Sequence, residues 1–105
     1  MEELCLGADG WVAGLVDAFP KETTTIYNLV KSGKIEEATK IYRWFMPLVG
    51  TGYSSQTGSI YKTGMQSKPG IGSEYVRAPR LTLVGEERER ILKVINDAIS
   101  IRPTL

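Results

Sequence analysis

The chain has no histidine and only one cysteine, Cys5, in 105 residues. Without an imidazole to act as general base, the Ser-His and Cys-His nucleophile classes are excluded. A lone thiol makes no internal disulfide, and with no histidine beside it no zinc site is expected. In the run ELCL, Cys5 reads as a small buried hydrophobe. Long apolar runs are also missing: nothing approaches the roughly 18 residues of a membrane span. The opening MEELCLGADG is acidic and lacks the apolar centre of a signal or transit peptide. No charge of one sign dominates, since 13 basic residues face 12 acidic ones. Nucleic acid and membrane surfaces are therefore not expected partners, and a reducing cytoplasmic location is the expectation.

The apolar residues that are present fall into four stretches. WVAGLVDAF over 11–19 is an almost continuous apolar run after the turn residues Gly7-Ala8-Asp9-Gly10. It is too short for a core helix and lacks polar alternation, which predicts a strand buried on both faces, as in helix-covered parallel sheets. The chain supplies no second strand of that quality to pair with it. Pro20 suits a first helical turn, and Lys21 to Ser32 carries Ile26, Tyr27 and Val30 on one face before a C-terminal cap at Gly33. The threonines Thr23 to Thr25 weaken that helix. A better helix follows, with Ile35, Ala38, Ile41, Tyr42 and Phe45 at helical spacing and Pro47 predicted as its stop. The two should form an antiparallel hairpin. The last helix opens on Glu86 and Glu87, carries Ile91, Leu92, Ile95, Ala98 and Ile99 as a stripe, and closes at Arg102-Pro103.

Residues 49–72 differ from everything around them: six glycines, seven serines or threonines and no acid. The block has neither helical nor strand periodicity and reads as a long irregular loop, unusual inside a compact domain. Gly50 to Gln66 can be back-translated with synonymous codons so that reading one nucleotide later gives A-L-D-I-H-P-K-L-V-Q-Y-I-K-L-A-C, an amphipathic helix. Two compensating frame changes would then have replaced a helix with out-of-frame residues, which the underlying DNA tests directly.

GADGWVAGLVDAFPKET resembles the eighth barrel strand of the dihydrodipicolinate synthase and N-acetylneuraminate lyase family. IEEATKIYRWFMPL and GSEYVRAPRLTLVGEERERILKVINDAI resemble the C-terminal helices beyond that barrel. The order of these segments adds more than any one alone. The resemblance implies a (β/α)8 barrel in which a lysine on the sixth strand forms an imine with pyruvate or a related keto acid, and a tyrosine on the fifth relays protons. Both strands would precede Met1, which would match a position in the helix before the eighth strand. What carries over is the pocket wall: Val12 matches the position whose backbone lies beside the imine, and Ala13 and Gly14 match its neighbours. Trp11 is bulkier than the residue often found at its place, which bears on the substrate. No cofactor is implied, and a homo-oligomer is, since relatives are often tetramers.

Other chemistry-bearing residues have plainer readings. The glycines of the block are not followed by Gly-Lys-Ser/Thr, so they do not make a phosphate cradle. Glu2-Glu3, Glu36-Glu37 and Glu86-Glu87 are adjacent pairs, which diverge on a helix and favour its dipole. Lys21, Lys31, Lys34 and Lys40 lie in charged helical or turn segments without the burial that activates an amine. Arg77 and Arg80 could fork a carboxylate, but packing or an ion pair is the better account. Trp11, Tyr42, Trp44 and Phe45 read as core.

The expected fold is mainly α with one short strand, a C-terminal fragment of a (β/α)8 barrel whose whole needs about 200 to 250 residues. Residues 1–33 are expected to hold the last strand and its helix, and 34–105 the C-terminal helical region with an irregular loop at 49–72, for which a frame shift is the hypothesis. The expected function is that of a fragment of a keto-acid lyase or hydro-lyase, inactive alone because the Schiff-base lysine and the tyrosine lie elsewhere. The substrate of the parent is a small keto acid. The alternative is a non-catalytic helical module that binds a partner through its unpaired strand and apolar helix faces.

Overall fold

A computed structural model of the chain describes residues 1–51, 73 and 75–105. Four helices appear among them: α1 (Glu2–Cys5), α2 (Pro20–Lys31), α3 (Ile35–Thr51) and α4 (Gly85–Ser100). α3 packs against both α2 and α4, and α1 against α2.

α2 begins as expected, with Pro20 in the first turn where its missing N–H costs nothing. The three threonines are accommodated by their own hydroxyls, which donate to the carbonyls of Phe19, Pro20 and Lys21 at 2.8, 2.6 and 2.8 Å. That back-bonding offsets part of the cost of β-branching in a helix. The helix ends at the expected glycine: Gly33 takes φ +79°. The Lys34 N–H donates to the Leu29 carbonyl at 2.8 Å and the Gly33 N–H to that of Val30 at 3.0 Å. This is a Schellman cap, which satisfies two otherwise orphaned carbonyls.

α3 corrects the expected stop at Pro47, since it continues through the proline to Thr51. The ring removes one backbone donor, at a cost of about 3 kcal/mol in a helix interior. Past it, Leu48 is buried at 2% exposure and extends the stripe of Ala38, Ile41, Trp44 and Phe45. Burying a leucine returns roughly 1.5–3 kcal/mol, which offsets half or more of the cost of the break. Val49 to Thr51 therefore belong to a helix rather than to the expected loop. The rest of that loop, and the frame-shifted helix proposed for it, lie outside the described residues.

The strand expected over 11–19 is not formed. Residues 11–13 have no regular structure and 14–18 are turns, closed by the Phe19 N–H donating to the Leu15 carbonyl at 2.9 Å. A strand needs partners for its backbone, and no strand occurs among the described residues. Cys5 also departs from its reading: α1 turns Leu4 into the core at 5% exposure and leaves the thiol exposed.

One apolar cluster draws on α1, α2, α3 and α4 together. At its centre Phe19, Trp44 and Phe45 meet edge to face, with centroids 5.3, 6.1 and 5.0 Å apart. Ile91, Ile95 and Ala98 of α4 bury against it, as their spacing predicts. The Trp44 indole N–H donates to the Ala98 carbonyl at 2.8 Å and joins α3 to α4. Among the described residues no helix is long and apolar enough to cross a membrane.

Candidate functional site

The segment before α2 forms one wall of a cavity of about 480 Å³. Trp11, Ala13, Gly14 and Leu15 line it from this segment. Trp11 is half-buried because its ring stacks on Tyr27 of α2, with centroids 6.3 Å apart. Tyr27 in turn donates its hydroxyl to the Asp9 carbonyl at 3.0 Å, and Lys31 donates to that of Ala8 at 2.6 Å. These contacts from α2 hold the chain leading into the wall. The far side is apolar, made by Ile26, Phe45 and Val49.

One rim is polar. The Tyr42 hydroxyl donates to both carboxylate oxygens of Glu2, at 2.9 and 3.0 Å. The terminal ammonium lies 3.3 Å from the Glu2 carboxylate and 3.6 Å from that of Glu3. Backbone hydrogen bonding, then the Tyr42 hydroxyl, hold the Glu2 carboxyl below its ordinary 4.5, with the ammonium adding to the effect.

The three residues read from sequence as pocket wall are separated by this geometry. Ala13 and Gly14 line the cavity, whereas Val12 is fully exposed and points away from it. None of the described residues at the cavity is a lysine. Lys21 and Lys31 are exposed and donate to the backbone of Leu105 and Ala8, and Lys34 and Lys40 are exposed. Glu36, Glu37 and Glu86 are exposed, as are Arg77 and Arg80, which sit on a turn away from the wall. Among the described residues no cluster of three or more His, Cys, Asp or Glu side chains could hold a metal. The cavity thus offers an apolar, aromatic-edged space with an anionic rim and no amine nucleophile from a side chain.

Two interactions that shape the region were not legible in the sequence. One is Glu2 with Tyr42. The other is Glu22, buried to 1% exposure in the first turn of α2, which accepts a hydrogen bond from Nε of Arg102. The partners are separated by 40 and 80 residues, and no local pattern links them.

The model of the dihydrodipicolinate synthetase family matches residues 1–98. Among curated proteins, 4-hydroxy-tetrahydrodipicolinate synthase 1 of Halalkalibacterium halodurans is 28% identical over 93 residues. That match covers 89% of this chain and 31% of the relative, so the chain spans about a third of its relative's length. No solved structure gives a significant match.

Proposed function

The chain belongs to the dihydrodipicolinate synthetase family, and from that premise we propose that it is the C-terminal part of a lyase acting on a pyruvate-type keto acid through a lysine Schiff base, inactive by itself. In such a lyase the lysine amine condenses with the keto carbonyl and releases water. The protonated imine then withdraws electrons from the neighbouring carbon. Residues 11–19 would be the last barrel strand in that whole, with Val12, Ala13 and Gly14 beside the imine.

The observation that carries the reading is the match of the family's model to residues 1–98, and Ala13 and Gly14 lining a cavity supports it. The test is borohydride reduction of the chain with pyruvate, followed by intact mass. A Schiff base would be trapped as a secondary amine on lysine. No adduct is expected, and a stoichiometric one would overturn the claim of inactivity.

A second reading, a non-catalytic helical interaction module, draws support from large apolar side chains left in solvent. Leu6, Val12 and Ile101 are 89, 102 and 72% exposed. Sedimentation over a concentration range separates the two: a cooperatively melting monomer that binds nothing argues against the module.

A further inference from the structure

The cavity carries a charge pattern that the proposed lyase chemistry does not use. Its apolar side presents Trp11, Leu15 and Val49, each only partly covered by the core, beside the buried Ile26 and Phe45. Apolar surface facing a concave space of about 480 Å³ favours an apolar body that displaces its water. The polar side offers acceptors. Glu2 and Glu3 line it with side chains 70 and 69% exposed, and the terminal ammonium lies between them. Two carboxylates against one ammonium leave this rim net negative. The hydroxyls that reach the cavity have committed their protons, Tyr42 to the Glu2 carboxylate and Thr23 to the Phe19 carbonyl. Among the described residues no lysine or arginine lines it. At this rim a ligand must therefore bring its own donors and a positive charge, and a carboxylate is repelled.

We propose that the cavity binds a small primary ammonium carrying an apolar body, with the ammonium donating to Glu2 and Glu3 and the body lying against Trp11, Ile26 and Phe45. Charge-assisted hydrogen bonds from an ammonium to carboxylates supply orientation, and the apolar wall supplies most of the affinity. Pockets that enclose small ligands hold roughly 300–1,000 Å³. This cavity falls toward the lower end of that range, which suits one ring on a short chain. A keto acid brings the opposite charge. The inference is therefore independent of the Schiff-base reading and takes the cavity as this chain builds it, with Ala13 and Gly14 as wall.

The test titrates the full ¹⁵N-labelled chain with 2-phenylethylammonium and follows it by NMR. Saturable shifts are expected at the Trp11 indole and at the Ala13 and Gly14 amides, with the amides of α4 unmoved. Methylammonium has the charge without the body, and 3-phenylpropionate has the body with the opposite charge. Each should bind on the order of tenfold more weakly. Glu2→Gln combined with Glu3→Gln should weaken the probe by about fivefold at low salt, the scale of a solvent-exposed ion pair, and by less as salt rises. Val12→Ala, outside the cavity, should leave the affinity unchanged. Shifts that do not saturate, equal binding of 3-phenylpropionate, displacement of the probe by pyruvate, or undiminished affinity in the doubly substituted chain would each overturn the ammonium site. A pyruvate adduct trapped by borohydride bears only on the Schiff-base reading, so the two fail separately.

Discussion

Arg102, two residues beyond the end of α4, donates from Nε to the Glu22 carboxylate in the first turn of α2 and lies 5.7 Å from the Phe19 ring centroid. Beside it, the Lys21 ammonium donates to the Leu105 carbonyl at 3.0 Å. The end of the chain is thus fastened to the residues that immediately follow the cavity wall.

Removing the guanidinium leaves a carboxylate of 1% exposure without this ion pair, whereas Arg102 itself retains 34% of its side-chain exposure. Arg102→Ala should therefore cost about 1–3 kcal/mol, below the value for a fully buried pair because water screens one partner. Urea unfolding of the two proteins measures the difference. Unchanged stability would show that the pair contributes nothing net.

The hydrogen bond to Glu22, opposed by burial and aided by its charge, raises the Arg102 pKa above the ordinary value of a guanidinium. A cation whose folded-state pKa is raised contributes stability that is fully present below the unfolded value and lost only as pH rises through the folded one. Stability from this pair should be flat from neutral to mildly alkaline pH. A decline between pH 8 and 10 that Arg102→Ala abolishes would contradict this assignment.

Glu2 behaves in the opposite sense. Its depressed pKa means that its contribution is present above the unfolded value and lost as pH falls through the folded one. Tyr42→Phe removes one of the causes, so the Glu2 carboxyl should titrate closer to 4.5. A ¹³C carboxyl titration by NMR reads the change directly, and an identical curve in the variant would exclude the hydroxyl as a cause.

Gly33 occupies the left-handed region at φ +79°, with nothing within 4 Å of where a side-chain carbon would stand. Gly33→Ala should therefore cost only the backbone strain, about 1 kcal/mol. Thermal unfolding checks this, and a loss several times larger would mean that the α2–α3 turn is more crowded than it is here.

Trp44→Phe keeps an aromatic ring in the Phe19–Phe45 cluster and deletes the donor to the Ala98 carbonyl. That carbonyl lies in the last turn of α4, where no intrahelical donor replaces it. A loss of about 1–3 kcal/mol is expected by denaturant unfolding, and a neutral substitution would show that water takes the bond over.

The helices were legible because their signals are local. The spacing of Ala38, Ile41 and Phe45, the glycine at 33 and the acids at 86 and 87 each concern residues within a turn or two of one another. α3 outran its expected end because Leu48 finds a buried place on a surface made by other helices, which no rule about Pro47 contains. The strand at 11–19 failed for the converse reason: its apolar pattern is real, but pairing is a property of at least two segments. For the site, likeness to a family named Val12, Ala13 and Gly14 as pocket wall, while which of them line this cavity depends on the backbone path. Arg102 with Glu22 and Tyr42 with Glu2 were invisible, since nothing in the intervening chain marks them as neighbours.

The indole of Trp44 touches Phe19 edge-on, one step from the cavity wall, while its N–H is held by the closing turn of α4. Its emission therefore samples two remote parts of the molecule at once. Loosening of the last helix and a shift in the segment bearing Ala13 and Gly14 would both alter its surroundings, which makes this side chain a native optical gauge of whether the two ends of the chain stay in register.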